Sequence, residues 1–426
     1  MIIFMAVYYI YPQNGNDANS GLSPDAPLLS HDRIALQPGD SLLFKRGSVT
    51  RGALHTTAGA EGAPVTYGAY GEGEPPVFCA SVDLSSPDQW VEVAPNIWKC
   101  TAPLPGEVGN FIFDGDYCEA TLRWERSELC EQGDFWDSHF WGDAPVDASL
   151  LSTERTLLLY SKGNPAQFYR SVEAGCSQPR VLASPRDYTV FEDLCFRNHG
   201  LHGLAGAADH VTVRRCRFEN LGGCVWSLPL RIRFGNAVEF YGHGSYITVE
   251  DCVFRNVYDS CVTHQGPGEQ TVPTVQFICR DNTFDTYGMA AFEYRDKLPI
   301  DSVFANNDCR NAGCGFAMRG EDLPRNSEIH PLPMGHHIFL WRISTPSEGG
   351  SLRIEGNRFG AAPVGAAIYS IISPEAEAQI TLDHNTYTIS NPQLLNRFGG
   401  VDYTDFARYR AETGQDAHSA LEDTQQ

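Results

Sequence analysis

The sequence predicts an all-β chain wound as a solenoid of parallel strands, a β-helix, with a small β-rich insertion. Three observations predict it. A phrase of the form V-x-V-x-x-C/N-x-F returns at Val211–Phe218 (VTVRRCRF), Ile247–Phe254 (ITVEDCVF), Phe277–Phe284, Leu352–Phe359 (LRIEGNRF) and Ile380–Tyr387 (ITLDHNTY). Alternation at a period of two is that of a strand, and recurrence every 20 to 50 or so residues is that of a repeat stack. Each copy buries its apolar face only by stacking on the next. The copies are too short for a helical crossover and show no 3.6-residue period between strands. Finally, 40 glycines, 26 prolines, 23 phenylalanines and 18 tyrosines suit many short strands with tight turns.

The elements follow in order. Residues 1–83 form the N-terminal part of the coil. Met1–Ile10 is apolar but lacks a basic flank and is too short to span a bilayer, so it reads as a first strand, with an atypical or trimmed export signal as the alternative. It runs into the turn at Pro12–Asp17. The turn Leu36-Gln-Pro-Gly-Asp40 then feeds a strand ending at Phe44, and Pro64–Tyr67 gives another.

Residues 84–180 break the rhythm with Trp90, Trp98, Trp124, Trp136 and Trp141, and with strand signals at Asn110–Phe113 and Thr156–Tyr160. They are expected to form a compact β insertion packed on the coil, because tryptophans need a surface to bury against. Residues 181–400 carry the main rungs. A polar, proline-containing stretch at 319–340, with Glu328, His330, His336 and His337, is expected to leave the coil as a loop. The tail, 401–426, reads as weakly helical over Tyr403–Ala411 and frayed from Thr413.

A net charge of −22 repels phosphate backbones and anionic lipid, so no nucleic acid and no membrane is expected as a partner. Of thirteen cysteines, Cys195, Cys216 and Cys252 share a repeat position that Asn282, Asn307, Asn357 and Asn385 fill elsewhere. Stacked free thiols inside the coil are therefore expected instead of disulfides, with a cytoplasmic rather than secreted setting. No C-x2-C pair supports a zinc ribbon, and no metal site is expected.

Several segments carry a resemblance. Gly15-Asn-Asp-Ala-Asn-Ser-Gly21, Ser23-Pro24, Leu36–Asp40 and Tyr67-Gly-Ala-Tyr-Gly71 resemble the opening of right-handed parallel β-helix proteins of the pectate-lyase-like superfamily. Gln132–Trp136, Leu157–Pro165, Gly235–Phe240 and Phe292–Tyr294 look like segments of its bacterial carbohydrate-active members. The resemblance implies a right-handed coil and a carbohydrate ligand. It leaves open lyase, hydrolase, epimerase and binding activities.

Within the repeat, Glu239, His264, Glu293 and Arg319 are expected to stack along one outer face. Strands ~4.8 Å apart put carboxylates two rungs apart at about 9 to 10 Å along the backbone, near the separation of an inverting glycosidase pair. Asp259, at the turn beside this face, offers a shorter-range partner. Trp226, Tyr241, Tyr294, Arg295, Arg319, His264 and His337 supply the aromatic and polar groups that bind sugars. The ordinary alternative for each glutamate is a solvated surface side chain.

The expected function is a glycoside hydrolase acting on a neutral or weakly charged oligosaccharide. Glu293 serves as acid and Glu239 or Asp259 as base, without a cofactor. One alternative is a polysaccharide lyase or epimerase, with Arg295, Lys297 or Arg319 converging on a uronate near His264 and Ca²⁺ held by acidic side chains. The other is a non-catalytic glycan-binding β-helix.

Overall fold

The computed structural model describes residues 5–116, 118–138, 156–320, 332–388, 391 and 393–422. Trp141, Glu328 and His330 lie outside them, as do residues 321–331 of the expected loop. The described chain is mostly β. The main body of the described residues is three sheets of ten, ten and nine strands, and from Val181 to Phe398 the chain visits the third, first and second sheet in turn. Neighbours in all three are parallel, apart from the closing pair Asn396–Phe398 and Val401–Tyr403.

The recurring phrase is a first-sheet strand, a corner and a second-sheet strand. At the corner stands one residue in the left-handed region: Arg215 (φ 52°), Asp251 (54°), Asp281 (57°), Asn306 (54°) or Gly356 (68°). Asp, Asn and Gly tolerate that conformation best, which accounts for most of the residues found there. The next residue points inward and receives the neighbouring rung's corner N–H. Cys252 donates to Asn282 (2.9 Å), Asn282 to Asn307 (3.0 Å), Asn307 to Asn357 (2.9 Å) and Asn357 to Asn385 (3.0 Å). An amide both accepts and donates, so it closes bonds that an apolar corner would leave open.

Cys216 continues this ladder, its N–H meeting Cys252 Sγ at 3.4 Å. Cys195 does not. The position belongs to Leu194, and Cys195 stands one residue on, in register with Arg217 and Val253. The left-handed Asp193 fixes that corner, and alignment by residue type alone slipped by one. All three thiols are buried and unpaired.

Between the sheets, Phe78, Phe196, Phe218, Phe254 and Phe284 stack rung on rung at 5.7, 5.4, 5.0 and 4.8 Å. They belong to one apolar cluster fed by all three sheets.

Residues 84–180 form a five-stranded sheet and most of a three-stranded one, around a second cluster that includes Trp90, Phe111 and Phe135. This unit is bonded to the rungs. Asn110 Nδ2 donates to Gly222 O (2.7 Å), Arg233 to Gly109 O (2.7 Å) and Val225 N–H to Glu107 (2.6 Å).

The tail differs from expectation. After the helix Phe406–Thr413, Ala420–Leu421 pairs with Thr386–Tyr387 and extends the second sheet. Buried Asp416 anchors it by accepting from Tyr387 and Tyr409 hydroxyls at 2.8 and 3.0 Å.

Candidate functional site

The third sheet positions the candidate site. Its register runs Ala205, Glu239, Thr263, Glu293, Phe339, Tyr369 across successive strands. This row faces away from the shared core. The next row, Phe240, His264, Tyr294, Leu340, faces into it. Glu239 and Glu293 therefore share the outer face with one strand, carrying Thr263, between them, about 9.6 Å apart along the sheet.

Neither carboxylate is a solvated surface group; they are 9% and 1% exposed. Glu239 Oε2 accepts from Asn236 Nδ2 (2.7 Å) and lies 3.1 Å from His202 Nδ1. Glu293 accepts from Ser260 Oγ (2.7 Å) and from the Trp341 indole N–H (2.8 Å). Asn236 Oδ1 in turn accepts from the Ser260 N–H at 3.0 Å. A continuous chain, Glu239–Asn236–Ser260–Glu293, thus holds both carboxylates. Each is met by fixed neutral donors, and a buried polar group demands such partners.

One end of the face is walled by the hairpin Cys224–Ser227 and Ile232–Phe234, whose Phe234 ring meets His202 edge-on at 5.2 Å. Trp226 is 41% exposed on this hairpin, and Tyr241 is 46% exposed two residues beyond Glu239. Past Glu293, Arg295 bonds Gln265 and lies 5.1 Å over the Trp341 ring. The face then opens into a cavity of about 520 Å³ lined by Asp296, Lys297, Arg342, Ile343 and Ile371 among others. Arg342 Nε lies 3.1 Å from buried Asp296.

The expected residues divide accordingly. Glu239, Glu293, Tyr241 and Arg295 share the outer face, and Asp259 lies buried directly before Ser260.

Four residues are corrected. His264 and Tyr294 point inward, fully buried and stacked at 5.1 Å, because Thr263 and not His264 aligns with the glutamates. A shift of one residue moves a strand side chain to the opposite face. His337 is also internal, bonded to the Tyr287 hydroxyl and to Gly360 O (3.1 Å). Burial pushes His264 down to about 3 and His337 to about 4, so both are neutral. Arg319 does not join the row either. It is exposed and reaches Thr121 of the insertion at 3.4 Å, while Phe339 fills the place next to Glu293.

Sequence reasoning missed Trp341, Ser260 and Asn236, and read His202 only as a candidate subsite contributor beside His199. Trp341 was hidden because residues 319–340 read as a loop, whereas a third-sheet strand begins at His336. The apolar run Ile338-Phe-Leu-Trp341 was the available signal.

No family model matches the chain. Over 94 residues it is 39% identical to lacto-N-biosidase of Bifidobacterium longum, covering 20% of this chain and 6% of that protein. Over 97 residues it is 34% identical to pectate lyase L of Dickeya dadantii, 21% of this chain and 22% of that one. The matches thus span a small part of these relatives' lengths.

Among solved structures, a GH136 lacto-N-biosidase from Eubacterium ramulus superposes over 98% of this chain and 67% of its own, with TM-score 0.54 and 15% identity. XylC in complex with xylose superposes over 90% of this chain and 62% of its own, with TM-score 0.56 and 14% identity. These two likenesses show a shared fold.

The cytoplasmic setting is corrected by these relatives, which are of kinds characteristically secreted or held at the cell surface. Free thiols misled because eleven of the thirteen are buried, where a cysteine serves as a small apolar side chain whatever the compartment.

Proposed function

We propose that the three sheets wrap as a right-handed parallel β-helix and that the outer face of the third is the active site of a glycoside hydrolase. The observation carrying this reading is the pair of buried carboxylates in one row, joined through Asn236 and Ser260. Glu293, held by a hydroxyl and an indole N–H, gives its proton to the leaving oxygen. Glu239, beside His202, activates the water. The backbone spacing of about 9.6 Å lets the two side chains lean toward each other with a water between them, and a carboxyl separation of ~6.5–9.5 Å would go with inversion at the anomeric carbon.

Trp341, Trp226 and Tyr241 supply ring faces and edges for sugars. The lacto-N-biosidase and XylC likenesses suggest aryl lacto-N-biosides and aryl xylosides as first substrates. Asp259, next to Ser260, is the second candidate base.

A lyase acting on a uronate glycan is the second reading. Lys297 and Arg342, which line the cavity beyond Glu293, favour it, since with Arg295 on the outer face they offer a carboxylate several cations in an otherwise acidic chain. Product analysis separates the two. Hydrolysis yields a new reducing end and no ultraviolet absorbance, whereas elimination yields an unsaturated uronate that absorbs. Appearance of that absorbance would overturn the hydrolase reading.

A further inference from the structure

A second place in the fold has the chemistry of a binding site, and it is independent of the carboxylate pair. We propose that His31, Asp32 and His55 form a divalent transition-metal site, of the kind zinc fills, that clips together two loops in the first circuits of the stack. His31 and Asp32 lie in the loop between the strands Val7–Ile10 and Ser41–Lys45, and His55 follows the strand Val49–Arg51.

Asp32 Oδ1 lies 3.9 Å from His31 Nε2 and 3.8 Å from His55 Nε2, and all three atoms fall within 4.8 Å of one another. These separations are too long for hydrogen bonds. They are the separations an ion fills, since bonds of ~2.0–2.2 Å place two ligands up to about 4 Å apart.

The surroundings prepare the three atoms. Ser30 Oγ donates to Asp32 Oδ2 at 2.9 Å, which turns Oδ1 toward the imidazoles. Such an outer bond commonly orients a metal-binding carboxylate. His31 packs edge-on against the core ring of Phe44 at 5.5 Å, which holds the imidazole and its Nε2 in place. The competing donor is the His55 backbone N–H, at a long 3.4 Å.

The group Asp383, His384 and His418 shows the contrast. There His418 Nδ1 and Asp383 Oδ2 are already bonded at 2.7 Å, leaving no gap between them. Two imidazoles and one carboxylate, with water in a fourth place, suit Zn²⁺ and its neighbours in the first transition row rather than Ca²⁺ or Mg²⁺.

The test is a titration of the EDTA-treated full chain with Co²⁺, read by its visible d–d bands. One equivalent is expected to bind and to raise the melting temperature. His55→Ala, whose side chain is largely exposed and so should not impair folding, should lose affinity by more than the ~10–100-fold typical of outer partners. Asp32→Ala should do the same, and His418→Ala should leave uptake unchanged. Absence of uptake, uptake indifferent to His55→Ala, or uptake lost in His418→Ala would each overturn the proposal.

Discussion

Trp341 shows how one side chain can set the character of another. Its indole N–H is one of two donors to Glu293, while its ring lies beneath Arg295. Replacing it with Phe keeps an aromatic ring and removes the donor. That loosens the carboxyl proposed as the acid, and a lost positioning hydrogen bond of about 1 kcal/mol means Trp341→Phe should lower kcat by roughly 10-fold, with the melting temperature little changed. Steady-state kinetics beside a thermal melt checks this; unchanged kcat would show that the indole only packs. At this scale the sequence was legible in residue type and ambiguous in direction. Glu239 and Glu293 were readable as a pair because both lie between inward apolar residues. His264 was misread because the repeat does not say whether it or Thr263 stands beside them, and that single step decides between outer face and core.

Among the elements, the corner ladder makes the strongest claim. Asn307 accepts the Asn282 N–H at 3.0 Å and donates to Cys279 O at 3.1 Å, wholly inside the stack. Asn307→Ala strands both partners, and each buried unpaired group costs ~1–3 kcal/mol. Equilibrium urea unfolding should therefore show a loss of about 2 to 5 kcal/mol. An ordinary surface value near ~0.5 kcal/mol would contradict the ladder's role. The ladder was visible in the sequence because the same residue types recur at one spacing. The strand His336–Trp341 was not, because a long polar stretch precedes it and breaks the count of residues per circuit. The tail strand Ala420–Leu421 was equally hidden. It is only two residues long, set among polar neighbours, and pairing with Thr386–Tyr387 rather than its own pattern makes it a strand.

Over the whole molecule, burial of neutral histidines couples stability to pH. Burial pushes His199, His264 and His336 down to about 3 and His337 to about 4. An unfolded histidine titrates near ~6.5, so between those values the unfolded chain binds more protons than the folded one. Stability from this source is complete above about pH 6.5 and falls as pH drops toward 3 to 4. The slope reaches ~1.4 kcal/mol per pH unit for each histidine. Urea unfolding at pH 7 and pH 5 should show marked acid weakening, reduced in His264→Phe, which keeps the stack on Tyr294. Equal stability at the two pH values would contradict the neutral, buried assignment.

The rigid floor that these buried rungs provide is what the proposed chemistry stands on, and one comparison tests that chemistry most directly. It is kcat and KM of Glu293→Gln against wild type, on whichever aryl glycoside the wild type cleaves. General acid catalysis is typically worth ~10²–10⁴-fold, so kcat should fall by that much on a poor leaving group, with KM within a few-fold. The loss should shrink on a leaving group that needs no proton. A Glu293→Gln enzyme that turns over like wild type would contradict the assignment of this face as the hydrolytic site.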